Sequence, residues 1–114
     1  MENKLSKRLG DIVTALPLKD GMRILEIGCG PGAIAREIAN RFDNIYVLAI
    51  DRSAKAIELA KKNSATETES GKITFIQSKI EAFELPENEE LFDIAFAIRV
   101  GRWMAGTPEL KKHL

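Results

Sequence analysis

The sequence predicts an α/β domain: a parallel sheet with helices on both faces, three layers in all. Three observations predict it. Apolar runs of strand length alternate along the chain with stretches of helical periodicity. Those runs carry almost no polar residues, as strands covered on both faces require. The first of them breaks straight into Gly28-Cys29-Gly30-Pro31-Gly32, and a helix-compatible stretch follows at once. That is a buried strand entering a tight turn that opens a helix, the layout of a nucleotide-cofactor pocket.

The elements follow in order. Leu5, Leu9, Ile12, Val13 and Leu16 recur at helical spacing, so residues 1–18 hold an amphipathic helix that Pro17 ends. Lys19-Asp20-Gly21 reads as a turn. The first strand is expected at about 23–27, then the glycine turn, then a helix over 33–40 with Ile34 and Ile38 on one face. Residues 45–50 are continuously apolar and end at Asp51, giving a second strand. Ser53 is the expected N-cap of a helix over 54–64, whose buried stripe is Ala56, Ile57 and Ala60. Residues 66–71 are polar and read as a loop. A third strand is expected at 73–77, a short turn or helix at 80–83, and a fourth strand at 91–98, apolar except for Asp93. Thr107-Pro108-Glu109 combines an N-cap, a first-position proline and a first-turn acid, so a helix starts in 107–114. Right-handed crossovers and the glycine turn after strand one favour about four strands in the order 3-2-1-4. A ligand site then falls at the switch between strands one and four.

Composition removes several function classes. The 114 residues make one domain, 1–114. Seventeen Lys and Arg balance seventeen Asp and Glu, which leaves no electrostatic footprint for nucleic acid or an anionic membrane. No apolar stretch approaches the roughly 20 residues of a membrane span. The charged N-terminus lacks the apolar core of a secretion signal. A single cysteine, Cys29, rules out an internal disulfide framework and suits a reducing cytoplasm. With one cysteine and one histidine, His113, no zinc shell can assemble, and no metal site is expected.

Two carboxylates sharpen the glycine turn. A residue without Cβ reaches positive φ cheaply and lets a ligand touch the backbone, and the N–H groups of the following helix face that ligand. Asp51 ends strand two, where an acceptor-only carboxylate can take two hydrogen bonds from the vicinal diol of a ribose. Its other role is to stabilise the macrodipole of the next helix. Glu26 separates cofactor classes, because the pattern is Glu-x-Gly-x-Gly-x-Gly. Beside a pyrophosphate it would set two negative charges together in a poorly solvated cleft. It suits a ligand bearing an ammonium group and a sulfonium cation. As a strand-end acid it can also accept from loop amides, and the two roles are compatible. Cys29 sits at a helix N-terminus, which could lower a thiol pKa, although small residues are common in such turns.

On these residues the chain resembles the class I S-adenosylmethionine-dependent methyltransferase family, whose fold is Rossmann-like. Residues 22–51 carry the resemblance, which extends over about 20–98. It implies that the segment holding Glu26, Gly28, Cys29, Gly30 and Gly32 embraces the methionine part of S-adenosylmethionine. Asp51, with Arg52 beside it, would hold the ribose hydroxyls. Ser78-Lys79-Ile80-Glu81 would border the adenine, and Phe92-Asp93-Ile94-Ala95-Phe96-Ala97 would end beside the sulfonium. The family often has an aspartate where Lys79 stands, accepting from the adenine amino group. Lysine is a donor only, so the backbone N–H of Ile80 is expected to carry recognition.

The implied function is methyl transfer to an unidentified, small-molecule acceptor by in-line displacement at the sulfonium methyl. Catalysis there is chiefly positioning and desolvation. No residue stands out as a general base, and the catalytic residue is unassigned. Arg99, Arg102 and Trp103 follow strand four: Arg99 could bind an acidic acceptor and Trp103 could pack near the sulfonium, or both could be surface and anchoring residues. Lys61-Lys62 and Lys111-Lys112 read as solvated faces. Two alternatives stand beside the enzyme: a non-catalytic cofactor-binding or regulatory module without the acceptor half, and an NAD-dependent oxidoreductase, which Glu26 disfavours. The family's sheet continues with further strands, so the chain is expected to be truncated relative to it. Strand 91–98 would then be an exposed apolar edge, a template for pairing. A second copy of the chain, giving a homodimer, or a partner chain is expected to cover it.

Overall fold

The computed structural model describes residues 4–84, 90–99 and 102–106. Within them run α1 (Lys4–Ala15), β1 (Arg23–Ile27), α2 (Ala33–Arg41), β2 (Tyr46–Asp51), α3 (Ala54–Asn63), α4 (Ala65–Glu69), β3 (Ile73–Gln77), a single 3-10 turn (Ile80–Ala82), β4 (Ile94–Arg99) and β5 (Arg102–Gly106). The expected helix over 107–114, with Lys111-Lys112 and His113, lies outside the described residues.

The sheet has the order β3-β2-β1-β4-β5. Its first four strands are parallel and in the expected order 3-2-1-4. The fifth corrects the sequence reading. β5 runs antiparallel along β4, with Ala105 opposite Phe96 and Met104 opposite Ala97. The edge of strand four, expected to need a second copy, is therefore covered from within the chain. Arg102 and Trp103, placed after strand four in the sequence reading, belong to this added strand.

Chain direction decides the layers. The steps from β1 to β2 and from β2 to β3 go the same way, so right-handed crossovers set α2 and α3 on one face. The step from β3 back to β4 must then cross the other face. The core divides accordingly. Ile34, Ala35, Ile38 and Ala39 of α2 and Ile57 and Ala60 of α3 join Val13 of α1 and Leu16 just beyond it over Ile24, Val47, Ala49, Phe75 and Phe96. On the other face Phe83 and Phe92 close over Leu25, Leu48, Ile50 and Ala95. Among the described residues the cover on this second face is the 3-10 turn and its flanks. Fully burying each large core side chain, such as Ile24, Ile38 or Phe96, contributes about 1.5–3 kcal/mol.

Two boundaries also moved. Residues 66–71, read as a polar loop, hold the short helix α4. Its anchor is Ser64, fully buried, whose Oγ accepts from Arg36 Nη1 at 2.9 Å. Thr68 N–H donates to Ser64 O at 2.9 Å, and Glu67 accepts from Asn40 Nδ2 at 2.8 Å. Arg36 and Asn40 are distant in sequence and invisible to local polarity. β4 starts at Ile94 rather than at residue 91. Leu91 is exposed, and Asp93 serves as a clasp: its N–H donates to Arg23 O at 2.7 Å, and its Oδ2 accepts from Arg23 N at 2.8 Å. No helix among the described residues is long and apolar enough to cross a membrane.

Candidate functional site

The site forms where β1 and β2 end. Glu26 pairs in register with Ala49 on one side and Phe96 on the other. Strand alternation gives it the same face as Ile24, towards the helices. It is 2% exposed, and its Oε1 has no hydrogen-bond partner among the described residues. Burial, with the charge of Asp51 added, pushes its carboxyl up to about 8 against an opposing pull from Arg36. A carboxyl in this setting is neutral near pH 7 unless a cation reaches it.

The end of β2 holds the glycine turn in place. Gly28 N–H and Cys29 N–H both donate to Ile50 O, at 2.8 and 3.0 Å. The Asp51 carboxylate adds a second clamp, with Oδ2 accepting from Gly30 N–H at 2.8 Å and Oδ1 from Ser53 N–H at 2.9 Å. Each carboxylate oxygen has capacity for a further bond. Behind the turn, Arg36 Nη1 donates to Pro31 O at 2.8 Å. Gly32 is required twice over: φ is +87°, and a Cβ there would meet Phe75 Cζ at 2.9 Å. Cys29 is buried in the core. Burial foremost, then the charges of Glu26 and Asp51, push its thiol up to about 12. It is a packing residue and not a nucleophile at neutral pH.

In front of the turn opens a cleft of about 570 Å³, within the range of small-molecule sites. Of the residues singled out in the sequence, Gly28, Asp51, Arg52, Ser78, Lys79, Ile80, Glu81 and Ala97 line it. Ala97 pairs with Ile27, so the cleft sits at the switch point beyond the carboxyl ends of the strands. Glu26, Cys29, Gly30 and Gly32 do not line it; Glu26 lies sealed beneath the turn. Sequence reasoning passed over Ile27 and Ile50, which supply an apolar lining continuous with the second core face. Their signal was available, since both are the last apolar residues of buried strands. Ser78 and Glu81 complete the segment after β3.

The site thus combines an apolar wall, a carboxylate with free acceptor capacity and a buried acid whose Oε1 has no partner among the described residues. No cluster of three or more metal-ligating side chains exists among the described residues.

Known proteins resemble this chain in sequence and in fold. Residues 18–112 match the profile of the methyltransferase-domain family. An O-methyltransferase of Aspergillus nomiae is 33% identical over 95 residues, covering 83% of this chain and 40% of that protein. A sterol 24-C-methyltransferase of Aspergillus fumigatus is 33% identical over 81 residues, covering 71% of this chain and 21% of that one. Among solved structures, an S-adenosylmethionine-dependent methyltransferase from Thiobacillus denitrificans in complex with S-adenosyl-L-homocysteine superposes with a TM-score of 0.61. It is 26% identical, and the match covers 78% of this chain and 34% of that one. The chain thus spans two fifths or less of the length of these relatives. With its strand order, its glycine turn and a family match running from residue 18 to residue 112, the chain belongs to the methyltransferase-domain family.

Proposed function

We propose that the cleft binds S-adenosylmethionine and that the domain serves methyl transfer to a small-molecule acceptor. The observation that carries this reading is the buried Glu26 carboxyl before the glycine turn, whose Oε1 has no partner among the described residues, with Asp51 on the cleft wall. Bound there, the cofactor supplies an electrophilic methyl group on a sulfonium centre. Everything else falls to the chain's own residues. Gly28 and Gly30 let the ligand approach the backbone, since no atom lies within 4 Å of where a Cβ would stand. Asp51 accepts from the ribose hydroxyls while it tethers the turn. Ile27, Ile50 and Ile80 exclude water from the flat face of the base, and Ala97 leaves room at the end of β4. No side chain is assigned as a general base, and transfer to a nucleophile that carries no proton needs none.

Titration calorimetry of the chain against S-adenosylmethionine, S-adenosylhomocysteine and NAD tests the reading. Binding of both sulfur nucleotides and not of NAD is expected. NAD binding alone would turn the assignment to an oxidoreductase, and binding without turnover over a broad acceptor panel would favour a non-catalytic module. A free, buried Cys29 agrees with a cytoplasmic setting. The proposal does without a second copy on strand four, because β5 occupies that edge. Light scattering at tens of micromolar should read a monomer.

A further inference from the structure

The carboxyl of Glu26 has three features that do not belong together in a resting structural residue. It is sealed between Ala49 and Phe96 at 2% exposure. One oxygen lacks a partner. The cation whose charge acts on it, Arg36 on α2, spends its Nη1 on other acceptors, donating to Pro31 O at 2.8 Å and to Ser64 Oγ at 2.9 Å. The other titratable groups facing it are Asp51 from the end of β2 and Cys29 from the turn, and neither supplies positive charge. An ionised carboxylate placed so is costly. The turn that follows Glu26 puts Gly28 on the cleft wall, and a Cβ added at Gly28 or Gly30 would meet no atom within 4 Å.

We propose that Glu26 is a proton-exchanging counterion beneath the glycine turn, neutral while the cleft is empty and ionised once a ligand ammonium group is bound, so that ligand uptake releases a proton. The inference rests on the cofactor reading above. In the step, the O–H bond of the Glu26 carboxyl breaks, its electron pair stays on the carboxylate and the proton leaves to buffer. The incoming positive charge is thereby neutralised inside the protein, where charges interact strongly. Cofactor affinity then rises with pH until the carboxyl is ionised in the empty protein as well, at about 8.

The test is calorimetry of S-adenosylmethionine binding to the 114-residue chain in two buffers of different ionisation enthalpy. The ligand's own amino group also titrates near neutrality, so the readout is the difference between the wild type and Glu26→Gln. The wild type is expected to release about one more proton per ligand than the variant at pH 7, a difference that vanishes about two pH units higher. Equal proton counts in the two proteins would overturn the proposal. Should Glu26→Gln not fold, the infrared C=O band of a buried neutral carboxylic acid serves instead. It is expected in the empty wild type at pH 7 and should disappear on adding ligand; its persistence overturns the proposal. Binding without proton release sinks this inference alone, whereas no binding of either sulfur nucleotide sinks the cofactor reading with it.

Discussion

Asp51 is bonded to Gly30 across the head of the sheet, its Oδ2 accepting the Gly30 N–H at 2.8 Å. The carboxylate that the sequence marks as a ribose acceptor is therefore also the tether of the turn beside it. Its other oxygen takes Ser53 N–H, so one side chain fixes the turn, the end of β2 and the entry to α3.

This double duty gives the first prediction. Asp51→Ala leaves the part-buried Gly30 amide and the exposed Ser53 amide without their acceptor and should cost about 1–3 kcal/mol of stability. It should also weaken S-adenosylmethionine binding by about 10–100-fold, or roughly 1.4–2.7 kcal/mol. Denaturant unfolding and calorimetry on the same preparation read the two effects separately. Wild-type stability with lost binding would leave Asp51 a ligand contact and no tether.

Gly32 and Gly28 allow a controlled comparison. Both have positive φ, +87° and +74°, but only at Gly32 does an added Cβ collide, with Phe75 Cζ at 2.9 Å. The left-handed backbone alone costs an alanine about 1–2 kcal/mol, and overpacking adds about 1–3 kcal/mol. Gly32→Ala should therefore lower stability by more than Gly28→Ala, whereas Gly28→Ala should act chiefly on ligand affinity. Equal melting shifts for the two variants would remove the Phe75 contact from the explanation.

What could be read ahead of the structure follows from the range of the forces involved. β1, β2 and β3 were legible because buried parallel strands leave unbroken apolar runs. The start of α3 was legible because its cap is local, Ser53 Oγ accepting from Ala56 N–H at 3.1 Å. α4 was not, since its stability comes from Arg36 and Asn40 on another helix. β5 was not, because Val100-Gly101 is no strong hairpin signature and its order comes from pairing with β4. At the site, Asp51 and Gly28 were found as cleft-lining residues. Glu26 was found as a residue but not in its setting. Its place beside Ile24 in the strand alternation would have predicted burial under the helices.

Lys79 lines the cleft but is exposed, and as a donor it cannot accept from an adenine amino group. Lys79→Ala is expected to change the Kd for S-adenosylmethionine by less than about threefold, under about 0.7 kcal/mol. Lys79→Asp, which supplies an acceptor, should tighten binding by about three- to tenfold. A tenfold loss in the alanine variant would make the lysine itself a ligand contact.

The raised carboxyl of Glu26 also writes itself into the stability of the empty protein. Its ordinary value is 4.5, and burial with the charge of Asp51 lifts it to about 8. Between those values the folded state holds a proton that the unfolded state has lost. Stability from this group is thus fully present below about pH 4.5 and falls progressively as pH rises through about 8. The loss over that window is on the order of a few kcal/mol. Glu26→Gln cannot titrate, and its neutral amide carries a cost that does not depend on pH. Groups remote from the site titrate alike in both proteins and cancel. The difference in unfolding free energy, variant minus wild type, should therefore climb from pH 5 in favour of the glutamine and level off above about pH 8. Parallel stability–pH curves would mean that Glu26 is ionised in the folded chain throughout, with Arg36 as its counterion despite being bonded to Pro31 and Ser64.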